Sequence, residues 1–159
     1  MRVVTNTSPL IALFQIGQLD LLERLYGRLV VPQAVVDELT AGRHEGYEVP
    51  DCGAYGWMVV ETIAVPSMLR LITALGPGEA EALAPSLATP TDLVLLDDGL
   101  ARQLAKSQAL RVTGTLGILV EAKRAGLIPL VMPHVARLRA AGFRMGAPLE
   151  AAIARLAGE

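Results

Sequence analysis

Leu93-Val94-Leu95-Leu96-Asp97-Asp98 places two adjacent carboxylates straight after an uninterrupted aliphatic run. Such a run marks a strand buried on both faces, so Asp97 and Asp98 fall at a strand's carboxyl end. Three further oxygen-bearing side chains occupy comparable places. Asn6 follows a short apolar strand, Glu38 lies beside the apolar stripe of a helix opened by Pro32, and Glu79 opens a helix just after Gly78. Each alone has an ordinary explanation. Asp98 could cap the next helix with Asp97 solvated, Glu38 could be surface, and Glu79 or Glu81 could complement a helix dipole at roughly 0.3–1 kcal/mol. Helical phase does not choose between Glu79 and Glu81, which point about 200° apart around the helix.

Taken together, Asn6, Glu38, Glu79, Asp97 and Asp98 form a more specific set, all at or next to element ends. Carboxylates brought together repel and resist joint ionisation. A divalent cation removes that cost. Mg²⁺ and Mn²⁺ take oxygen ligands, often one or two carboxylates plus water and substrate phosphate. A metal so held lowers the pKa of bound water and neutralises charge on a phosphodiester in transit. This chemistry needs neither histidine nor cysteine, which suits a chain with two of the first and one of the second. Cys52, His44 and His134 have no zinc-site spacing, and Trp57 and His134 carry no assignable role.

The elements that must position these groups alternate between strand and helix. Arg2 to Thr5 reads as a buried strand, Ser8 as the N-cap of the next helix, and Pro9 as its first residue. Asn6 and Thr7 then lie in the crevice beyond a strand's carboxyl end, where open α/β sheets gather ligands. Ser8 to Tyr26 has helical spacing, broken near Gly17. Gly27 to Pro32 reads as a turn and a short β-branched strand, and Pro32 opens a helix over Gln33 to Thr40. Arg43 to Gly56 lacks periodicity and is the candidate mobile loop. Trp57 to Ile63 reads as a strand, and Ser67 to Leu75 and Glu79 to Ala88 as helices, with Pro85 at a kink or boundary. After Leu93 to Leu96 come a helix to about Ser107, a strand at Leu110 to Val112, and a helix from Thr115 to about Arg124. Residues 129–159 hold two more helices. The alternation predicts an α/β fold with a parallel sheet covered on both faces.

With 159 residues, 52% hydrophobic and 4% aromatic, the chain suits one aliphatic α/β domain spanning 1–159. No apolar run approaches the roughly 18 residues of a membrane span, and no signal pattern opens the chain, so a cytoplasmic, non-membrane protein is expected. Net charge is −2, but residues 1–98 carry −8 and residues 99–159 carry +6. Such asymmetry suits an acidic centre beside a basic, phosphate-facing surface, although uneven surface charge is also common. No Gly-x-Gly-x-x-Gly or Walker-type loop is present to favour a nucleotide-binding domain.

Asn6-Thr7-Ser8-Pro9-Leu10-Ile11, Ile16-Gly17-Gln18-Leu19-Asp20-Leu21-Leu22 and Val31-Pro32-Gln33-Ala34-Val35-Val36-Asp37-Glu38-Leu39 resemble the N-terminal half of a PIN-domain protein. Gly78 to Leu83, Leu95 to Arg102, Gly114 to Leu119 and the tail from Gly126 to Arg144 continue the resemblance. These motifs resemble one branch in particular, the predicted nucleic-acid-binding PIN-like proteins, similar to VapC-type toxin ribonucleases. The resemblance implies a three-layer α/β/α fold with a central, mainly parallel sheet. It also implies an Mg²⁺- or Mn²⁺-dependent endoribonuclease acting on RNA, many relatives being toxins silenced by a small cognate antitoxin protein and many being homodimers. By position, Glu38, Glu79 and Asp98 match family acidic residues, with Asp97 beside them. Asn6 stands where catalytically typical members carry their first Asp.

On this reading Glu38, Glu79, Asp97 and Asp98 are catalytic, and Asn6, Glu79 and Asp98 hold the metal. Ser8, Arg102, Lys106 and Thr115 face substrate, with Lys123 and Arg124 as further cation candidates. Caps and solvated helix faces are the plain alternatives for Ser8, Thr115 and the basic residues. Asn6 offers a neutral oxygen in place of a charged one. A unit-charge pair about 4 Å apart is worth on the order of 4 kcal/mol at an effective dielectric of 20, so metal should bind less tightly here. The competing function is a catalytically weak or inactive PIN-fold module that binds RNA or protein.

Overall fold

The computed structural model describes residues 1–62, 91–107 and 109–159. In chain order these form β1 (Val3–Thr5), α1 (Thr7–Gln15), α2 (Asp20–Tyr26), β2 (Leu29–Pro32), α3 (Gln33–His44) and β3 (Met58–Glu61). After them come β4 (Leu93–Leu95), α4 (Gly99–Ser107), β5 (Val112–Thr113), α5 (Thr115–Arg124), α6 (Met132–Ala140) and α7 (Ala147–Ala157). The expected helices over 67–75 and 79–88, the Pro85 break and Glu79 itself lie outside the described residues.

One sheet holds all five strands in the order β3-β2-β1-β4-β5, and every pairing is parallel. Helices flank it to give the three-layer α/β/α arrangement. The inner strands are short and wholly apolar until their last residue or two. Val3, Val4, Val94 and Leu95 have no exposed surface, nor do Leu29 and Val31 of β2. Burial of each such side chain favours folding by about 1.5–3 kcal/mol. Beneath the sheet, Leu10 and Leu13 of α1, Leu21 and Leu22 of α2, Val35 and Leu39 of α3, and Ile118 and Leu119 of α5 share one core with the strands. A Tyr26 hydroxyl donates to Glu121 at 2.6 Å across the α2–α5 seam.

Several boundaries differ from the sequence expectation. Asn6, not Ser8, is the N-cap of α1, with extended backbone at φ −88° and ψ 174°. Pro9 therefore stands third in the helix. It is still tolerated there, because the first four helical N–H groups have no intrahelical acceptor. Similarly, Gly114 rather than Thr115 is the N-cap of α5. Helix α3 runs on through His44, past the expected stop at Thr40, so the expected loop of 43–56 begins with helical residues. Within it Val49, Pro50 and Cys52 are buried, and Cys52–Ala54 form a single 3₁₀ turn. Val49 and Cys52 join the core, and the rest of the stretch is held by short-range turns, such as Tyr47 N–H to Gly42 O at 3.0 Å and Ala54 N–H to Asp51 O at 3.0 Å, which carry no helical or strand periodicity. No helix among the described residues is long and apolar enough to cross a membrane.

Candidate functional site

Thr5 of β1, Leu95 of β4 and Thr113 of β5 lie abreast in the sheet. Three strands therefore end together, and whatever follows each is brought to one edge. After β1 comes Asn6, whose backbone N–H reaches Leu95 O at 2.9 Å and extends the ladder one residue. After β4 come Leu96, Asp97 and Asp98. After β5 come Gly114 and Thr115. Asn6 and Thr115 are both fully buried.

Asp97 is fixed by its neighbours. Thr115 donates to it twice, from its backbone N–H to Oδ1 at 2.8 Å and from its hydroxyl to Oδ2 at 2.6 Å. The carboxylate thus satisfies the first N–H of α5, a place where a negative charge is favoured by the helix dipole. Arg102 lies close by, donating from Nη1 to Leu96 O at 3.3 Å. Burial pushes the Asp97 carboxyl above the usual aspartate range, while the two Thr115 hydrogen bonds and the Arg102 charge pull it back down. The packing here is tight. A Cβ on Gly114 would fall 2.6 Å from both Arg102 Nη1 and Asp97 Oδ1. Only glycine fits.

Asp98 differs in every respect. It is exposed, and its Oδ1 accepts from the Ala101 N–H at 2.8 Å, capping α4. On the other side of Asn6, the Thr7 hydroxyl donates to Glu38 Oε2 at 2.7 Å and ties α3 to the start of α1. A cleft of about 740 Å³ opens beside these strand ends. Ser8 and Gln15 of α1, Asp97, Asp98, Phe143 and Arg144 are among its walls.

A family model described as DUF3368: PIN domain matches residues 2–159. The chain belongs to the PIN-domain family. Comparisons with curated proteins and with solved structures returned no match. In this PIN domain the sheet edge that carries Asn6, Asp97 and Asp98 was legible from the sequence. The division of labour between the aspartates was not. Asp98 is the helix cap, as the plain alternative had it, but Asp97 is held by Thr115 instead of being solvated.

The donors at this edge are all oxygen, which suits a hard divalent cation. Among the described residues no three His, Cys, Asp or Glu side chains group to hold a metal. The described donors fit a hard divalent cation that keeps much of its water and rests on one or two carboxylates.

The remaining sequence candidates scatter. Ser8 is exposed on the cleft wall. Thr115 is committed to Asp97, and Arg102 to Leu96 O and the Asp97 charge, so both are internal to the edge. Lys106 and Arg124 are exposed on helices away from the residues that line the cleft. Lys123 instead donates to Ala157 O at 2.6 Å and to Glu159 at 2.9 Å. Thr7, Gly114, Phe143 and Arg144 were missed as site residues. The Gly-Phe-Arg run after a helix was the one available signal for the last two.

Proposed function

We propose that this PIN domain is a metal-dependent endoribonuclease, and the toxin of a toxin–antitoxin pair. The observation that supports it best is the convergence of Asn6, Asp97 and Asp98 on one sheet edge beside an open cleft with a basic residue, Arg144, on its wall. Asp98 and Glu38, with Asn6 as a neutral oxygen donor, would hold Mg²⁺ or Mn²⁺; Glu79 joins them by its position in the sequence. The metal, when bound, would supply charge neutralisation on a phosphodiester and an acidified water. The chain's own part is to orient. Asp97 and Thr115 lock β4 to the start of α5, which sets the direction in which Asp98 leaves the strand. The cleft's apolar wall, with Ile11 and Ala12, would exclude bulk water from one side of the substrate. RNA, a small antitoxin protein and a second copy of the chain are the proposed partners.

A second reading, an RNA- or protein-binding module that does not cleave, is favoured by one observation: the fully buried Asn6 puts a neutral amide at the strand end where a charged ligand would hold metal more tightly. Calorimetric titration with Mn²⁺ separates the two. The nuclease reading expects binding by the wild type, weakened roughly tenfold or more in Asp98→Asn, equivalent to about 1.4 kcal/mol or more. No binding by the wild type at millimolar Mn²⁺ would leave the binding module.

A further inference from the structure

Besides the strand ends, the cleft is walled by the end of helix α6 and the turn that follows it. Helix α6 ends in a fully specified turn: Gly142 N–H donates to Arg139 O at 3.0 Å, and Phe143 N–H to Leu138 O at 2.9 Å. Gly142 sits at φ +98°. This is a Schellman ending, with glycine at the left-handed position and an apolar residue next. Phe143 is half-buried against the core that includes Leu138. The turn is therefore pinned by backbone and side chain, and it holds Phe143 and Arg144 on the cleft that Asp97 and Asp98 also line. Arg144 is exposed and makes no ion pair among the described residues, although two aspartates share its cleft.

We propose that the Phe143–Arg144 turn is a nucleotide subsite for single-stranded RNA. The ring stacks a base next to the scissile phosphate, and the guanidinium takes a flanking phosphate. A guanidinium fork matches phosphate geometry, and a preset aromatic is the usual platform for an unpaired base. The half-exposed Ile11 on the same cleft suits a base more than it suits a second charge. A duplex keeps its bases stacked on one another and cannot offer a face to Phe143. The subsite rests on the RNA reading of the same cleft.

Anisotropy of a labelled single-stranded RNA in EDTA, where no metal-dependent cleavage runs, tests it. Wild type, Arg144→Ala, Phe143→Leu and Arg155→Ala are compared, each first checked for native circular dichroism. Arg144→Ala should weaken binding roughly fivefold and lower the slope of log affinity against log salt by about one. Phe143→Leu should weaken it by roughly fivefold or more with the slope unchanged. Arg155, exposed on α7 and outside the cleft wall, should change neither. Wild-type binding that Arg144→Ala and Phe143→Leu leave intact would overturn the subsite and spare the nuclease reading. If the same variants, run in parallel with a labelled glutamate-rich peptide, lose binding to the peptide but not to RNA, the subsite is overturned and the turn is a protein-docking site. Absence of RNA binding by the wild type, with or without Mn²⁺, would overturn both readings together.

Discussion

Two adjacent aspartates, one half-buried and one exposed, show how far residue type alone can be trusted. Asp97 and Asp98 carry the same group one residue apart, yet only Asp98 faces solvent freely enough to exchange ligands. Asp97 is a clamp, and its chemistry follows from its burial. Its raised pKa means the folded protein binds the proton more tightly than the unfolded chain does. Ionised Asp97 thus costs stability above its folded pKa, and that cost disappears as pH falls through the folded value toward the ordinary aspartate value of about 4. Urea melts of wild type and Asp97→Asn should therefore show the wild type gaining on the variant on acidification from neutral pH to about 4.5. Gly114→Ala should lose about 1–3 kcal/mol in the same assay, because the new methyl displaces the Arg102 and Asp97 side-chain ends from their hydrogen bonds. Asn6→Asp carries two opposite expectations. It should tighten Mn²⁺ binding roughly tenfold by adding a charge, and lower stability in EDTA because that charge would be fully buried. A parallel gain or loss in both would contradict the placement of Asn6 at the metal.

At the scale of elements, the strands and most helices were legible because their apolar residues repeat locally. The aliphatic run at Leu93 marked a doubly covered strand, and the Gly-Pro punctuation marked most ends. What was not legible depended on contacts distant in sequence. The N-cap of α1 falls on Asn6 because β1 stays paired with β4 through the Asn6 N–H, a bond to residue 95 that no local pattern reveals. Lys123 read as a phosphate candidate, but it and the Glu159 carboxylate close a staple. Glu159 accepts from the Val131 N–H at 2.7 Å and the Met132 N–H at 3.1 Å at the start of α6. The Val131 hydrogen bond, against an opposing burial effect and helped by Lys123 and Met132, holds the Glu159 carboxyl below the usual range. Its contribution is fully present above the ordinary glutamate pKa and is lost as pH falls through the lowered folded value. Hydrogen exchange at the start of α6 should therefore speed up in Glu159→Gln near neutral pH, and the difference from wild type should shrink in acid. Tyr26→Phe should cost about 1.5–3 kcal/mol in urea melts, since it removes a donor from the Glu121 carboxylate at the α2–α5 seam.

Over the whole molecule, charge divides along the chain into an acidic first part and a basic remainder. Folding brings the two together at the cleft, where Asp97 and Asp98 of one part meet Arg144 of the other. A polyanion approaching acidic strand ends is repelled unless cations intervene, and both a divalent metal and a fixed arginine meet that need. RNA affinity should accordingly fall steeply with salt. The measurement that tests the central claim most directly is cleavage of a mixed single-stranded RNA pool by wild type and Asp98→Asn, each with Mn²⁺ and with EDTA. Products from the wild type in Mn²⁺, none in EDTA, and a loss of roughly a hundredfold or more in the variant are expected for a metal-activated site. Cleavage that persists in EDTA, or that Asp98→Asn leaves unchanged, would contradict it.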